Sequence, residues 1–250
     1  MRNNFIVDAW ESFKASRIGQ IVVGEGLPTV KRQQMASTAN SLFFHLHPSK
    51  VHRRSASFMY TMGLGGTSFL LFLILTVTGV LLMFYYRPSI PTAYHDMQDL
   101  SFVVPFGKIL RNLHRWSAHA ILIVTALHMW KVLARGAFKK PRELNWVFGV
   151  ILFILMMALS FTGYLLPWDQ LAMWAITVGT NMMRSAPLVG EPMSFLVLGG
   201  NLVGENALIR FYVMHCIVLP LIAALFIALH FWRIRKDGFS IPGRVEEETS

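Results

Sequence analysis

Four histidines define the chemistry open to this chain. His114 and His128 lie fourteen residues apart in RNLHRWSAHAILIVTALHMW, residues 111–130, and His215 and His230 lie fifteen apart in RFYVMHCIVLPLIAALFIALHFW, residues 210–232. Both stretches are otherwise apolar enough to lie in a bilayer. Fourteen residues of α-helix advance about 1400°, close to four whole turns, and fifteen again return to nearly the same face. Each helix therefore carries one histidine high and one low, roughly 21 Å apart along its axis. Ionisable residues inside a membrane are expensive and mark function. Neutral imidazole is a good axial ligand for haem iron, and two imidazoles leave no open position for oxygen, so iron held this way transfers electrons. Histidines paired in depth on two helices fit two haems.

The elements that position them must be membrane helices. The 250 residues are 54% hydrophobic and only 14% charged, with 19 Phe and 14 Met, a balance foreign to a soluble domain. Apolar runs of about twenty residues can satisfy their backbone in lipid only as helices. Spans are expected at 58–86, 114–133, 146–166 and 211–232. A loop at 87–113 joins the first two, and short interfacial helices within 171–200 lie between the last two. Residues 1–55 form an extension with an amphipathic interfacial helix built on Phe5, Ile6, Ala9, Trp10 and Phe13, ended by Gly24, Gly26 and Pro28. Residues 56–236 form the transmembrane domain, and 237–250 a polar tail. The fold class is thus an all-α membrane protein, a four-transmembrane-helix bundle.

Two glycine pairs repeat the histidine interval. Gly65 and Gly79 are fourteen apart on the first span, and Gly149 and Gly163 are fourteen apart on the third. Glycine removes a side chain where the edge of a flat macrocycle must approach backbone. Cationic side chains for haem propionates flank both levels: Arg111 and Arg115 at one, Lys139, Lys140, Arg233, Arg235 and Lys236 at the other. His119 points roughly 140° away from His114 and is expected not to ligate. His95 is expected in a loop, and His45, His47 and His52 in a solvated basic segment facing lipid headgroups.

Charge sets the orientation. Sixteen Lys and Arg fall on the side of the two termini and five in the opposite loops, which places both termini in the cytoplasm and the His114 and His215 level near the positive side of the membrane. The net charge of +10 is thus a matter of topology, and nucleic acid is not an expected partner. The single cysteine, Cys216, excludes an internal disulfide, a thiolate-held iron–sulfur cluster and a CxxCH haem attachment within the chain. The first thirty residues show no signal-peptide core.

LHRWSAH, LHMWKV, GAFKKPRELNW, SFTGYLLPWDQ, RFYVMHCIVLP and HFWRIRKDG occur in this order along the chain. Together they resemble the cytochrome b family, in its short cytochrome b6 form, over about residues 58–238. The resemblance implies two b haems between the second and fourth spans, with His114 paired to His215 and His128 to His230, a pairing that spacing alone allows without fixing. It implies a subunit of a quinol–cytochrome c, or plastocyanin-like carrier, oxidoreductase that is incomplete by itself. Quinol oxidised at the positive side would give one electron to a Rieske iron–sulfur protein and one to the haems, which would carry it across to quinone. Trp168 and Asp169, with the segment 171–200, would roof the quinol pocket. The implied partners are a Rieske protein, a separate subunit carrying a PEWY loop, a c-type cytochrome or carrier, quinone and lipid, in a homodimeric complex of a bacterial inner membrane.

Two features depart from the family pattern. Photosynthetic b6 proteins attach a third haem through a cysteine where this chain has Gly63, so no covalent haem is expected there. No PEWY-type segment occurs, so the chain is expected to form only part of each quinone pocket. The rival expectation is a b-type membrane anchor passing electrons between a peripheral dehydrogenase or hydrogenase and quinone, with the PWDQ turn, the KKPREL loop and the 14/15 spacing against it.

Overall fold

The computed structural model describes residues 5–16 and 61–238. The segment holding His45, His47 and His52, the glycine and proline break at 24–28, the onset of the first span at 58–60 and the tail from 239 lie outside these residues. The chain divides into two compact units, a larger one of Gly63–Leu133 and Val147–Ile227 and a smaller one made of Met1–Met62, Ala134–Trp146 and Ala228–Ser250.

Helix α1, Phe5–Ala15, is the expected amphipathic element, with the rings of Trp10 and Phe13 stacked 5.8 Å apart on an exposed surface. Helix α2, Leu64–Met83, has twenty residues and no charge. Gly63, just before it, adopts φ +62°, a left-handed turn that suits glycine. The expected loop at 87–113 is instead largely helical: α3 covers Ile90–Phe102 with Pro91 in its first turn, where the missing N–H costs nothing. Helix α4 then runs from Gly107 to Ala134, twenty-eight residues, starting seven residues before the expected position. At about 1.5 Å per residue it exceeds a hydrocarbon core of about 30 Å, so its first turns reach beyond the lipid.

Helix α5 is Glu143–Leu165, followed by the two expected short helices, α6 at Gln170–Arg184 and α7 at Gly190–Leu198. Helix α8, Glu205–Val213, passes through a π-turn at Met214–Val218 directly into α9, Leu219–Asp237. The last span therefore covers Glu205–Asp237, longer at both ends than expected. Among the described residues four helices are long and apolar enough to cross a membrane, and the protein is an all-helical integral membrane protein. Hydroxyl groups inside the spans do not compete with the helix: Ser68, Thr76, Thr125 and Thr162 each donate to the carbonyl four residues back.

In the larger unit, Leu71, Phe72 and Leu75 of α2, Ile121 and Leu122 of α4, Leu155, Met156 and Leu159 of α5, and Ala223 of α9 form one mid-membrane cluster. Lipid tails are as apolar as these side chains, so close packing rather than water exclusion holds them. A second cluster closes one end of the bundle. Tyr86, Ala93, Leu165, Trp168, Ile176, Leu198, Ala207, Leu208 and Phe211 bring α3 and α6–α8 together there. The Tyr86 hydroxyl donates to the Leu166 carbonyl at 2.6 Å within it. Its side chains are closely packed, so a cavity in this layer is costly. Leu198, 1% exposed, should lose about 2–5 kcal/mol on change to alanine, read as a lower unfolding temperature of the purified protein.

An ion pair pins the start of this layer. Asp96, 4% exposed, accepts from the Arg87 backbone N–H at 2.8 Å and from its guanidinium at 2.6 and 3.2 Å. The Arg87 hydrogen bond holds the Asp96 carboxyl below its ordinary value of 3.8. With the folded pKa depressed, the pair's contribution is fully present above that value and is lost as pH falls below it through the folded pKa. Asp96→Asn should accordingly flatten the acid limb of a stability-versus-pH curve below about pH 4 and leave the curve above it parallel to wild type, which thermal unfolding across pH would read.

Candidate functional site

Three of the four glycines chosen from spacing meet three of the four histidines in the larger unit. An ideal Cβ on Gly79 would lie 3.2 Å from His114 Cε1, one on Gly65 would lie 3.3 Å from His128 Cε1, and one on Gly163 would lie 2.5 Å from His215 Cε1. The fourteen-residue glycine pair of α2 thus matches the fourteen-residue histidine pair of α4 in reverse order. The room each of these glycines opens is taken by an imidazole ring rather than by empty space at a macrocycle edge. Gly149 lies within α5, and His230 lies half-buried on α9 in the smaller unit.

His114 and His215 face each other. Their ring centres are 6.2 Å apart and their planes cross at 77°. A metal–imidazole bond of about 2.0 Å, with about 1.1 Å from nitrogen to ring centre, places two rings on one metal about 6.2 Å apart. Both Nδ1 atoms are occupied: His114 with Thr78 Oγ1 at 2.8 Å, and His215 with the Leu159 carbonyl at 3.0 Å and Thr162 Oγ1 at 3.3 Å. A carbonyl only accepts, so His215 Nδ1 carries the proton and Nε2 keeps its lone pair for a metal. Among the described residues no three His, Cys, Asp or Glu side chains gather as a metal cluster. Two imidazoles are too few for a bare ion, which needs four or more ligands, and are the number that haem iron lacks once the macrocycle has supplied four nitrogens. The donor set and the glycine cradles therefore fit haem.

The π-turn explains the fifteen-residue interval. In uninterrupted α-helix fifteen residues overshoot four turns by about 60°. A π-turn closes i to i+5 and so takes up one extra residue, and a helix containing one carries fifteen residues around its axis as plain α-helix carries fourteen. His215 sits in this turn, together with the half-buried free thiol of Cys216.

The other expected residues fall as follows. His119 is exposed, its ring edge-on to Trp116 at 5.7 Å, and turns away from His114 as expected. His95 is exposed but lies on α3 rather than in a loop. Arg111 donates to Ser101 Oγ at 3.0 Å, which ties the start of α4 to α3, while Arg115 and Lys139 are exposed and Arg235 is half-buried. Arg233 pairs with Asp237 at 2.6 Å, and Lys236 lies over the Trp232 ring. Trp168 and Asp169 have structural duties: Trp168 is 9% exposed in the end cluster, and Asp169 caps α6 by accepting from Ala172 N–H at 2.8 Å. Spacing arguments did not single out Thr78 and Thr162. The signal was present in the Thr-Gly dipeptides at 78–79 and 162–163.

Comparison with known proteins identifies the family. The family model for cytochrome b/b6/petB matches residues 49–238. Cytochrome b6 of Porphyra purpurea is 45% identical over 179 residues, 72% of this chain and 83% of the relative. Cytochrome b6 of Heliomicrobium gestii is 41% identical over 196 residues, 78% of this chain and 90% of the relative. Among solved structures, a chain of a hyperthermophilic respiratory complex III superposes with a TM-score of 0.68 at 25% identity, over 82% of this chain. This chain spans 54% of that chain's length. An all-helical membrane protein with imidazoles facing each other inside its bundle is the class defined by the fold and site. The chain belongs to the cytochrome b family, whose members bind haem b.

Proposed function

We propose that this chain is the dihaem subunit of a Rieske/cytochrome b quinol-oxidising complex and conducts electrons across the membrane. The observation that carries this reading is the His114–His215 pair, at a ring separation suited to one shared iron. Bound haem iron, saturated by two imidazoles, supplies one-electron transfer without an open ligand position. His114 and His215 would hold one haem, and His128 and His230 the other. Helix rise sets the two levels roughly 21 Å apart. Gly65, Gly79, Gly149 and Gly163 keep side chains out of the space around the rings. Arg111, Arg115, Lys139 and Arg235 are the cations proposed for the propionates. Helices α6 and α7, anchored by Trp168 and capped by Asp169, would roof a quinol pocket that a companion PEWY-bearing subunit completes. Quinol oxidised there would send one electron to a Rieske partner, and thence to a c-type cytochrome or similar carrier, and one inward along the histidine-bearing helices to quinone. Protons would leave on one side and enter on the other. The charge pattern favours cytoplasmic termini in a bacterial inner membrane, and the complex is proposed to be a homodimer.

Rapid mixing of the purified complex with quinol tests this. The b-type absorbance should rise on mixing, and the rise should be lost when the Rieske protein is absent and quinone-side entry is inhibited. Reduction that proceeds equally well under those conditions would favour a one-way anchor of a peripheral enzyme. No response to quinol would contradict both readings.

A further inference from the structure

We infer that Thr78 and Thr162 are positioning residues for His114 and His215, and that their hydroxyls accept from the ring Nδ1–H groups and bias the haem held there toward its oxidised state. This rests on the haem reading above. Each threonine directly precedes a glycine of the site, Thr78 before Gly79 and Thr162 before Gly163. Adjacent helical positions point about 100° apart, so one position clears the ring and the other meets its polar edge.

Hydrogen-bond inventory sets the polarity. Thr78 Oγ1 lies 2.6 Å from the Ile74 carbonyl and Thr162 Oγ1 lies 2.9 Å from the Ala158 carbonyl, and each hydroxyl gives its single proton there. What remains for the ring is a lone pair, so Nδ1 donates. The Leu159 carbonyl at 3.0 Å makes the same demand of His215. Thr78 on α2 and Thr162 on α5 thus present the same acceptor to the two facing rings. An imidazole that donates from Nδ1 to such acceptors becomes a more electron-rich ligand through Nε2. A more basic axial ligand favours ferric over ferrous iron and lowers the potential. At the other level the residues before Gly65 and Gly149 are Leu64 and Phe148, which have no hydroxyl. The device therefore belongs to the haem from which the electron is to leave, where a lower potential makes the crossing downhill.

Potentiometric titration of the full complex, with haem content measured alongside, tests the inference in Thr78→Val, Thr162→Val and Thr78→Ser. Valine keeps the shape and deletes the hydroxyl. One of the two titration waves should move to more positive potential while the other stays in place. The shift should be larger for Thr78→Val than for Thr162→Val, because the Thr78 contact is 2.8 Å whereas Thr162 is at 3.3 Å beside a closer carbonyl. Thr78→Ser should restore the wild-type wave. If valine weakens that haem by the roughly 10–100-fold typical of lost supporting partners, its retention in the serine variant supports the same role. Loss in both variants alike, or both waves at wild-type positions in both valine variants, would overturn the inference and leave the two-haem reading intact. An unmodified complex without haem waves would instead overturn the reading on which it rests.

Discussion

Gly163→Ala is expected to strip one haem from the complex and leave the other. The added Cβ would lie 2.5 Å from His215 Cε1 and 3.0 Å from both ring nitrogens. The ring is held where it is by the Leu159 carbonyl and the Thr162 hydroxyl, and shifting it breaks those bonds. Overpacking of this kind costs about 1–3 kcal/mol, enough to weaken binding about ten- to a hundredfold before the lost hydrogen bonds are added. The same substitution elsewhere gives a graded series. Gly79→Ala and Gly65→Ala meet their histidines at 3.2 and 3.3 Å and should be milder, the first acting on the same haem and the second on the other. Gly66→Ala meets nothing within 4 Å and should keep both haems. Haem per chain in purified complexes reads the series. Full retention in Gly163→Ala would contradict the cradle.

His128→Leu is the second large effect. His128 shares α4 with His114 but lies against Gly65, at the other depth. Leucine fits an apolar helix in lipid, so the span should form while its iron ligand is gone. One haem should remain, on His114 and His215, and quinol should still reduce it. Transfer onward to quinone should fall by more than the roughly 100-fold that loss of a mere supporting partner costs. Normal quinol turnover in this variant would contradict transmembrane transfer through this histidine.

These expectations draw on features that differ in how far they could be read from the chain. The spans were legible because twenty apolar residues have one solution in lipid. The glycine and histidine intervals were legible because helical periodicity converts spacing into depth, and three of the four glycines lie against three of the four histidines. Boundaries were less so. Residues 87–113 read as a loop, yet Pro91 opens α3, since proline punctuates a helix start as readily as it breaks a helix. The π-turn at His215 left no local signature. It shows only as one surplus residue in an interval, and only tertiary packing says where that residue is taken up. The capping role of Asp169 was less legible, because a carboxylate just before a helix satisfies an orphan N–H whatever else it does. The threonine hydroxyls left a signal in the Thr-Gly dipeptides, but their partners lie 36 and 53 residues away in the chain and only the fold names them.

The most direct test of the central claim is a pyridine haemochrome assay on the purified complex, with its subunits separated on a denaturing gel and stained for haem. The account predicts two extractable b haems for each copy of this chain and no haem stain on its band. A chain without haem would contradict the claim outright. A covalently stained band would contradict the expectation drawn from Gly63 and direct attention to Cys216.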